Sequence, residues 1–156
     1  MTVKYLPSGY HTLTPYLIIK GAAKALDFYK KALGAIELMR MPDLNGQIMH
    51  AEIQIGDSHL MLADEMPARG FLSAETLGGS PVSLMLYVVD VDASFKKAIA
   101  AGAKELVAVQ DKFYGDRSGM LIDPFGYTWN LATHIEDLSP EELNKRADEF
   151  MKQQVG

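Results

Sequence analysis

The sequence predicts an α+β fold in which one unit of strand, helix and three further strands is used twice and is followed by a C-terminal helix. The clearest observation is that each half opens with a strand leading into a helix that ends at Gly-Ala. These segments are 16–19 and 22–33 before Gly34-Ala35, and 84–89 and 92–101 before Gly102-Ala103. Each half also closes with a turn and a strand, at 56–64 and at 123–134. Such an internal repeat is a stronger indication of the architecture than any single motif. It predicts two similar halves around a shared site.

Composition limits the classes of partner and compartment. The chain has 156 residues, an apolar fraction of 48%, a net charge of -5 and no cysteine. The lack of cysteine excludes a disulfide framework, a thiolate metal site and a cysteine nucleophile. Without a basic cluster or a long apolar run, we expect neither nucleic acid nor a membrane as a partner. The N-terminal sequence has no signal-peptide pattern, so a cytoplasmic protein is expected.

One domain over residues 1–156 is the expected organisation. Module one covers about 12–64, a linker covers 65–81, module two covers about 82–135, and the terminal helix covers 139–152. The linker holds two prolines and three glycines. Because it is long for a compact domain, it is either a lid over a site or a plain connector.

Two periodicities orient the first module. Helix 22–33 places Ala25, Phe28, Tyr29 and Ala32 on one face, which predicts a core face, and Gly34 supplies a left-handed end. Strand 47–55 alternates apolar and polar residues, so one of its faces is predicted to be covered by helix and the other to be open. The apolar set is Met49, Ala51, Ile53 and Ile55, and the polar set is His50, Glu52 and Gln54.

The terminal helix has a clear start signal. Ser139-Pro140-Glu141-Glu142 is a capping box with proline at the first helical position. The residues that follow give an apolar stripe, which packs either on its own domain or on a second subunit. The stripe consists of Leu143, Ala147, Phe150 and Met151.

The repeated unit, with Asp-Pro-Phe-Gly-Tyr entering the last strand, resembles the vicinal oxygen chelate superfamily. That superfamily includes glyoxalase I, the bleomycin-resistance proteins and the extradiol dioxygenases. Segment 28–35 looks like its first-helix signature, and segments 50–62, 113–117 and 129–137 look like its PhnB-like branch. The resemblance covers about residues 12–152 and implies two βαβββ modules that form a cup of curved mixed sheet. It also implies pairing of modules within or between chains, and because open sheet edges need cover, we expect a homodimer.

Metal-using members of this superfamily hold a divalent ion in the cup. The resemblance places the four ligand positions at Thr14, Met61, Leu84 and Asn130. Leucine cannot bind a metal, and methionine is a soft donor unsuited to Mg, Mn, Fe(II) or Zn. We therefore expect no cofactor, and a divalent metal at a displaced site is the alternative.

Strand alternation adds residues to this cup. Residues two apart on a strand point to the same face, so the ligand positions Thr14 and Met61 add Tyr16 and His59 to the cup. The polar set of strand 47–55 is predicted to face the cup as well. The predicted ligand pocket comprises Thr14, Tyr16, Gln54, His59, Met61, Leu84, Tyr114, Arg117 and Asn130. Its apolar floor is predicted at Leu84, Leu86 and Val88. Trp129 has the opposite parity to Asn130 and is predicted to lie in the core.

Segment 113–117 contributes two of these pocket residues. Tyr114 is expected as an aromatic wall. Arg117 is either an anion clamp or the partner of its neighbour Asp116 in a turn.

His50 and Glu52 are the candidate catalytic pair, since a carboxylate two residues from a histidine can fix its tautomer. They are alternatively residues that orient a ligand, a solvated pair, or ligands of a displaced metal with His59 or His11. Two functions follow, beside a weaker third in which the domain only keeps the fold and contacts another protein through its surface. One is a glyoxalase/bleomycin-resistance-like protein that binds a small organic molecule without the usual metal. The other is a lyase, isomerase or dioxygenase that depends on a divalent metal or on acid/base chemistry at His50 and Glu52.

Overall fold

Each module forms its own four-stranded sheet with a helix on one face, as the repeat predicts. The computed structural model describes residues 3–154. Module one consists of β1 (Tyr16–Ile19), α1 (Ala22–Leu33), β2 (Ile36–Pro42), β3 (Ile48–Ile55) and β4 (Ser58–Asp64). Its strand order is β1-β4-β3-β2, with β1 parallel to β4 and the other neighbours antiparallel.

The linker is more ordered than the predicted loop. It contains a 3-10 turn at Pro67–Arg69 and a short helix, α2 (Ala74–Leu77). Ser73 is fully buried, and its hydroxyl accepts the backbone N–H of Thr76 at 3.2 Å to cap this helix. A helix of four residues is too short to show an apolar period, which is why the sequence did not predict it.

Module two repeats the arrangement. It consists of β5 (Ser83–Tyr87), α3 (Val91–Ala101), β6 (Lys104–Asp111), β7 (Asp116–Ile122) and β8 (Thr128–His134). The strand order β5-β8-β7-β6, with β5 parallel to β8, matches the order in module one. The α+β fold and its internal duplication are thereby confirmed.

A buried carboxylate, that of Asp64, caps the N-terminus of the first helix. Gly21 precedes α1 and has no capping side chain, so the exposed N–H groups need another acceptor. Asp64, at the end of β4, accepts the N–H of Gly21 at 2.9 Å and that of Ala22 at 2.8 Å. Its second oxygen accepts the N–H of Ile48 at 2.7 Å. Negative charge at a helix N-terminus is favourable, so Asp64 fixes α1 against β3 and β4.

A second buried carboxylate joins the two modules. Asp123 lies in the closing turn of module two, and its Oδ2 accepts the hydroxyl of Tyr29 at 2.7 Å and the indole N–H of Trp129 at 2.9 Å. Its Oδ1 accepts the backbone N–H groups of Phe125 at 2.9 Å and Tyr127 at 3.0 Å. Burial and the adjacent carboxylate raise the pKa of Tyr29 well above its ordinary value. The predicted core positions of Tyr29 and Trp129 are confirmed, with 0% and 3% exposure.

The same turn makes another tie between the modules. Tyr127 donates its hydroxyl to the backbone carbonyl of Ile18 at 2.6 Å. Ile18 lies in β1, the edge strand of the first sheet. The turn therefore holds both the helix and the first strand of module one.

The last helix, α4 (Pro140–Gln154), begins where the capping box predicts. The hydroxyl of Ser139 accepts the N–H of Glu142 at 3.2 Å. The ring of Phe150 lies 5.0 Å from that of Phe113, so the helix does contact its own domain. No described residue of α4 is buried, however, and most of the apolar stripe stays exposed in the single chain.

The network around Asp123 gives a direct prediction about stability. Asp123→Ala removes the acceptor for four buried donors, and each unsatisfied donor costs about 1–3 kcal/mol. After partial relief by water, we expect the free energy of unfolding to fall by roughly 3–5 kcal/mol. Tyr29→Phe removes one of these hydrogen bonds and should cost about 1–2 kcal/mol. Urea unfolding followed by Trp129 fluorescence measures both, and an Asp123→Ala protein as stable as the Tyr29→Phe protein would contradict the role given to Asp123.

Candidate functional site

The face of the first sheet that α1 leaves uncovered, called here the open face, carries most of the predicted site residues. Tyr16 lies opposite Met61, Met61 opposite Glu52, and Glu52 opposite Met39. Directly opposed residues share a face, so these four form a row across all four strands. The register places six of the predicted site residues on the open face. They are Tyr16, His50, Glu52, Gln54, His59 and Met61.

A chain of hydrogen bonds joins four side chains on this face. Tyr16 Oη lies 2.8 Å from His50 Nδ1, and His50 Nε2 lies 2.9 Å from Glu52 Oε1. The other carboxylate oxygen of Glu52 accepts the hydroxyl of Tyr10. The side chains of His50 and Glu52 are 25% and 18% exposed, so this chain is partly shielded from water. A phenol keeps its proton at neutral pH, and burial raises the pKa of Tyr16 further above its ordinary value.

Residues 7–14 form an N-terminal strap over one end of the open face. The ring of Tyr10 stacks on that of His59, with centroids 4.1 Å apart and planes 14° apart. Gly9 has a φ of +84°, and a Cβ at this position would lie 3.1 Å from His59 Cε1. Only glycine combines that backbone angle with so close an approach. The imidazole of His11 lies 3.1 Å from the carbonyl oxygen of Asp57 and adds a contact at the edge of the strap.

Tyr10 was missed by the sequence prediction, which assigned residues 1–12 no element and named only His11 among them, as an alternative metal ligand. The only available signal was a tyrosine and a histidine directly after the turn-forming Pro7 and Gly9. Residues outside a strand have no alternation, so nothing indicated that Tyr10 points at Glu52.

A pocket of about 430 Å³ opens beside Tyr16. Strands β1, β3 and β4 supply part of its wall, and the linker supplies the rest through Met66 and Phe71. The full lining is Tyr16, Ile18, Met49, Ala63, Met66 and Phe71. A cavity of this size with apolar walls and a single polar contact is typical of small-molecule sites. The linker thus forms a pocket wall as well as connecting the modules.

The presence of Met49 in this wall corrects a prediction. Alternation assigned Met49 to the covered face, but it is 40% exposed while Ile48 is 2% exposed. Met41 pairs with His50 and Pro42 pairs with Ile48, which leaves Met49 without a partner. This β-bulge adds one residue to β3 and reverses the alternation before His50.

Leu84 also lies on a different face from the one predicted. Leu84 pairs with Trp129 and Leu86 pairs with Leu131, so both leucines point to the helix-covered face. Together with Val88 they pack against the core, so they do not form a floor of the open face as predicted. Leu84 and Leu86 instead line a smaller pocket that also contacts His59. Every residue from 84 to 89 is apolar, so alternation along this strand gave no sign of the one-residue error.

Two further predicted pocket residues lie in module two. Asn130 is on the uncovered face of the second sheet, with Nδ2 3.3 Å from Ser83 Oγ. Tyr114 is 40% exposed, and its ring meets Phe113 edge-on at 5.3 Å. Within residues 3–154, no hydrogen bond or ring contact joins Asn130 or Tyr114 to the chain at His50. A single protomer therefore does not assemble the whole predicted pocket.

Arg117 has neither of its two expected roles. Its guanidinium bonds Asp92 of α3 at 2.7 and 2.9 Å and Asp111 of β6 at 2.8 Å. Asp92 belongs to the helix that covers this sheet, so Arg117 points away from the uncovered face. The expected pairing with Asp116 is wrong because consecutive strand residues point to opposite faces.

Asp116 instead belongs to a second polar cluster. It is 4% exposed and accepts the hydroxyl of Tyr87 at 2.9 Å. His134 Nδ1 lies 2.7 Å from the other oxygen of Asp116, and His134 Nε2 lies 3.0 Å from Asp137. Hydrogen bonds to these two carboxylates raise the pKa of His134. The cluster ties the end of β8 to the segment before α4.

A smaller pocket of about 240 Å³ lies where the modules meet. His11, Pro15 and His59 line it from module one, and Met85 and Trp129 line it from module two. Among the described residues, His59 Nδ1 is a buried nitrogen without a hydrogen-bond partner. His59 also stacks on Tyr10, and His11 and Leu13 of the N-terminal strap line this pocket, so the strap borders both the pocket and the open face.

The remaining polar candidates are satisfied locally. Thr14 donates its hydroxyl to the carbonyl of His11 at 3.4 Å, and Gln54 donates its amide to the carbonyl of Gly56 at 2.9 Å. Both contacts are to nearby backbone. Neither side chain takes part in the hydrogen-bonded chain at His50.

The four positions that the resemblance assigned to metal ligands do not form a fitting donor set. Leu84 packs against the core, Thr14 bonds a carbonyl, and Asn130 lies on the other sheet. Met61, on the open face, offers a thioether that hard divalent ions do not favour. In the part of the chain that is described, no three His, Cys, Asp or Glu side chains are grouped to hold a metal ion.

Comparison with known proteins identifies the family. The model of the Glyoxalase/Bleomycin resistance protein/Dioxygenase superfamily matches residues 10–131. An uncharacterized protein of Mycobacterium bovis, Mb0911c, is 40% identical over 134 residues, covering 84% of this chain and 88% of its own. The chain therefore belongs to the Glyoxalase/Bleomycin resistance protein/Dioxygenase superfamily.

Solved structures with the same fold include two from actinomycetes. TnmS3, an antibiotic binding protein from Streptomyces sp. CB03234, matches with a TM-score of 0.61 and 25% identity, over 80% of this chain and 95% of its own. TioX from Micromonospora sp. ML1 matches with a TM-score of 0.64 and 26% identity, over 80% of this chain and 99% of its own. Across residues 3–154, no helix is long and apolar enough to cross a membrane.

Proposed function

We propose that this protein binds a small organic molecule in the pocket beside Tyr16. The observation that carries the proposal is the pocket itself, about 430 Å³ with one hydroxyl among apolar walls. Apolar walls provide most of the binding free energy, and a single polar group orients the bound molecule. The likeness to TnmS3, an antibiotic binding protein, supports a binding role of this type.

A second candidate function is an acid/base enzyme, either a lyase or an isomerase, that uses His50 and Glu52. The observation in its favour is that His50 lies between a hydroxyl and a carboxylate, within 2.8 Å of Tyr16 and 2.9 Å of Glu52. That order of hydroxyl, base and orienting carboxylate is the one that activates hydroxyl groups in many enzymes. Turnover of a molecule found to bind, lost in Glu52→Gln, would favour this candidate over simple binding.

We further infer the PhnB-like branch of the superfamily, a cytoplasmic location and no nucleic-acid partner. The branch is supported by the motifs at 50–62, 113–117 and 129–137. The net charge of -5 disfavours contact with phosphate backbones.

The binding proposal predicts opposite effects for two neighbouring substitutions. His50→Ala should weaken binding of any molecule found in a ligand screen, because the Tyr16 hydroxyl in the pocket wall loses the partner that orients it. It should lower the free energy of unfolding by only about 1 kcal/mol, because the side chain lies on the open face and its loss leaves no core cavity. Ile53→Ala should lower the free energy of unfolding by roughly 2–5 kcal/mol through a core cavity, with little effect on affinity in the folded protein. Calorimetric titration and urea unfolding measure the two quantities. The reverse pattern would show that the site lies elsewhere.

We also propose that the site works without the metal used elsewhere in the superfamily, because the donor set does not fit one. Dialysis against a chelator should then leave the melting temperature unchanged, since loss of a bound metal lowers it by mass action. Elemental analysis of untagged protein gives the direct control. A stoichiometric divalent ion, or a fall of several degrees after chelation, would contradict metal independence.

A homodimer is the third part of the proposal. Apolar side chains on the uncovered faces of both sheets are exposed, including Met41 at 53%, Met85 at 50% and Tyr87 at 59%. Exposed apolar clusters in soluble proteins commonly mark interfaces. Sedimentation equilibrium should give twice the chain mass of 17.2 kDa. A mass near 17.2 kDa at micromolar concentration would exclude a stable dimer.

A further inference from the structure

The direction of the hydrogen bonds at Glu52 determines the tautomer of His50. Glu52 accepts the hydroxyl of Tyr10 on one oxygen and faces His50 Nε2 with the other, 2.9 Å away. A carboxylate has no hydrogen to donate, so His50 Nε2 must be the donor. Neutral imidazole carries one N–H, and its Nδ1 is then an acceptor.

The tautomer of His50 in turn orients the hydroxyl of Tyr16. Tyr16 Oη lies 2.8 Å from Nδ1, so the phenol gives its only hydrogen to this acceptor. A tyrosine hydroxyl keeps its hydrogen at neutral pH. With its hydrogen engaged, the Tyr16 oxygen presents only lone pairs to the pocket.

No other side chain in the pocket wall provides a hydrogen-bonding group of comparable strength. The remaining members of the lining are Ile18, Met49, Ala63, Met66 and Phe71. Thioethers are polarizable and make favourable contacts with aromatic rings, and Phe71 adds a ring of its own. The wall therefore suits an aromatic body, and the polar end suits a group that donates a hydrogen bond.

We propose that the pocket selects aromatic molecules bearing an O–H or N–H donor, and that Tyr16 is the specificity-determining residue that accepts this hydrogen bond. The selection deepens the proposed binding function and rests on it. A ligand that has only acceptors leaves the Tyr16 oxygen facing another lone pair. Loss of one such hydrogen bond should weaken binding about tenfold.

The tautomer is tested without any ligand. Nitrogen NMR of the histidine rings, assigned with His50→Gln, should show neutral His50 protonated on Nε2. Glu52→Gln should weaken that preference, because an amide can either donate or accept. Protonation of neutral His50 on Nδ1 in the wild type would overturn the proposal at its first step.

Ligand selection is tested with a matched pair of probes. Naphthol and its methyl ether share an aromatic body, but only naphthol donates. Wild type should bind naphthol about tenfold more tightly than the ether. Tyr16→Phe should remove the difference, and Tyr5→Phe should preserve it, since Tyr5 is 91% exposed and outside the pocket.

The other outcomes distinguish a failure of the donor selection from a failure of the proposed small-molecule binding. Equal binding of both probes by wild type overturns the donor selection and leaves small-molecule binding standing. A preference for naphthol that persists in Tyr16→Phe overturns the role of Tyr16. Failure of both probes to bind, with His50 protonated on Nε2, overturns the aromatic ligand class, and the ligand screen described above then decides the binding function separately.

Discussion

The two modules are joined through one buried carboxylate, that of Asp123. Four donors converge on it, and they come from the first helix, from β8 and from the turn that holds Asp123 itself. Because a buried charge is tolerated only when its hydrogen bonds are satisfied, this turn, the helix and the strand must keep one relative placement. Asp64 does the same within module one, where it fixes the start of α1 against β3. The repeated fold thus depends on polar anchors inside an apolar core.

The contact between the modules also fixes β1, the strand that carries Tyr16 of the candidate site. The strand is only four residues long and lies at the edge of its sheet, with a partner on one side. Tyr127 holds it from module two by bonding the carbonyl of Ile18, two residues from Tyr16. The position of the Tyr16 hydroxyl relative to His50 therefore depends on module two even though no module-two residue lines the pocket. Stability of the module contact and geometry of the site are coupled in this way.

Sequence patterns predicted the fold well and the strand faces of the candidate residues in part, and the difference has a physical cause. The repeat, the Gly34 helix end and the Ser139 cap are local signals, and the structure has each of them. Face assignments held on β3 from His50 onward, where apolar and polar residues alternate, and failed where alternation gives no information. Leu84 lies in an entirely apolar run, Met49 lies in a bulge, and Arg117 depends on Asp92, which is distant in sequence. Tyr10 lies in a segment without any periodicity.

The β-bulge at Met49 makes the side chain in the pocket wall independent of strand pairing, whereas in a regular strand the two depend on each other. A residue in a regular ladder is paired with a residue on the neighbouring strand. Its replacement therefore disturbs both that pairing and the packing of its side chain. Met49 has no such partner, while its side chain forms part of the pocket wall. Met66 and Phe71 lie in the linker, outside the two sheets. Half of the pocket wall can therefore vary between relatives while the sheet stays intact, so one scaffold can acquire new ligand preferences at little cost to folding.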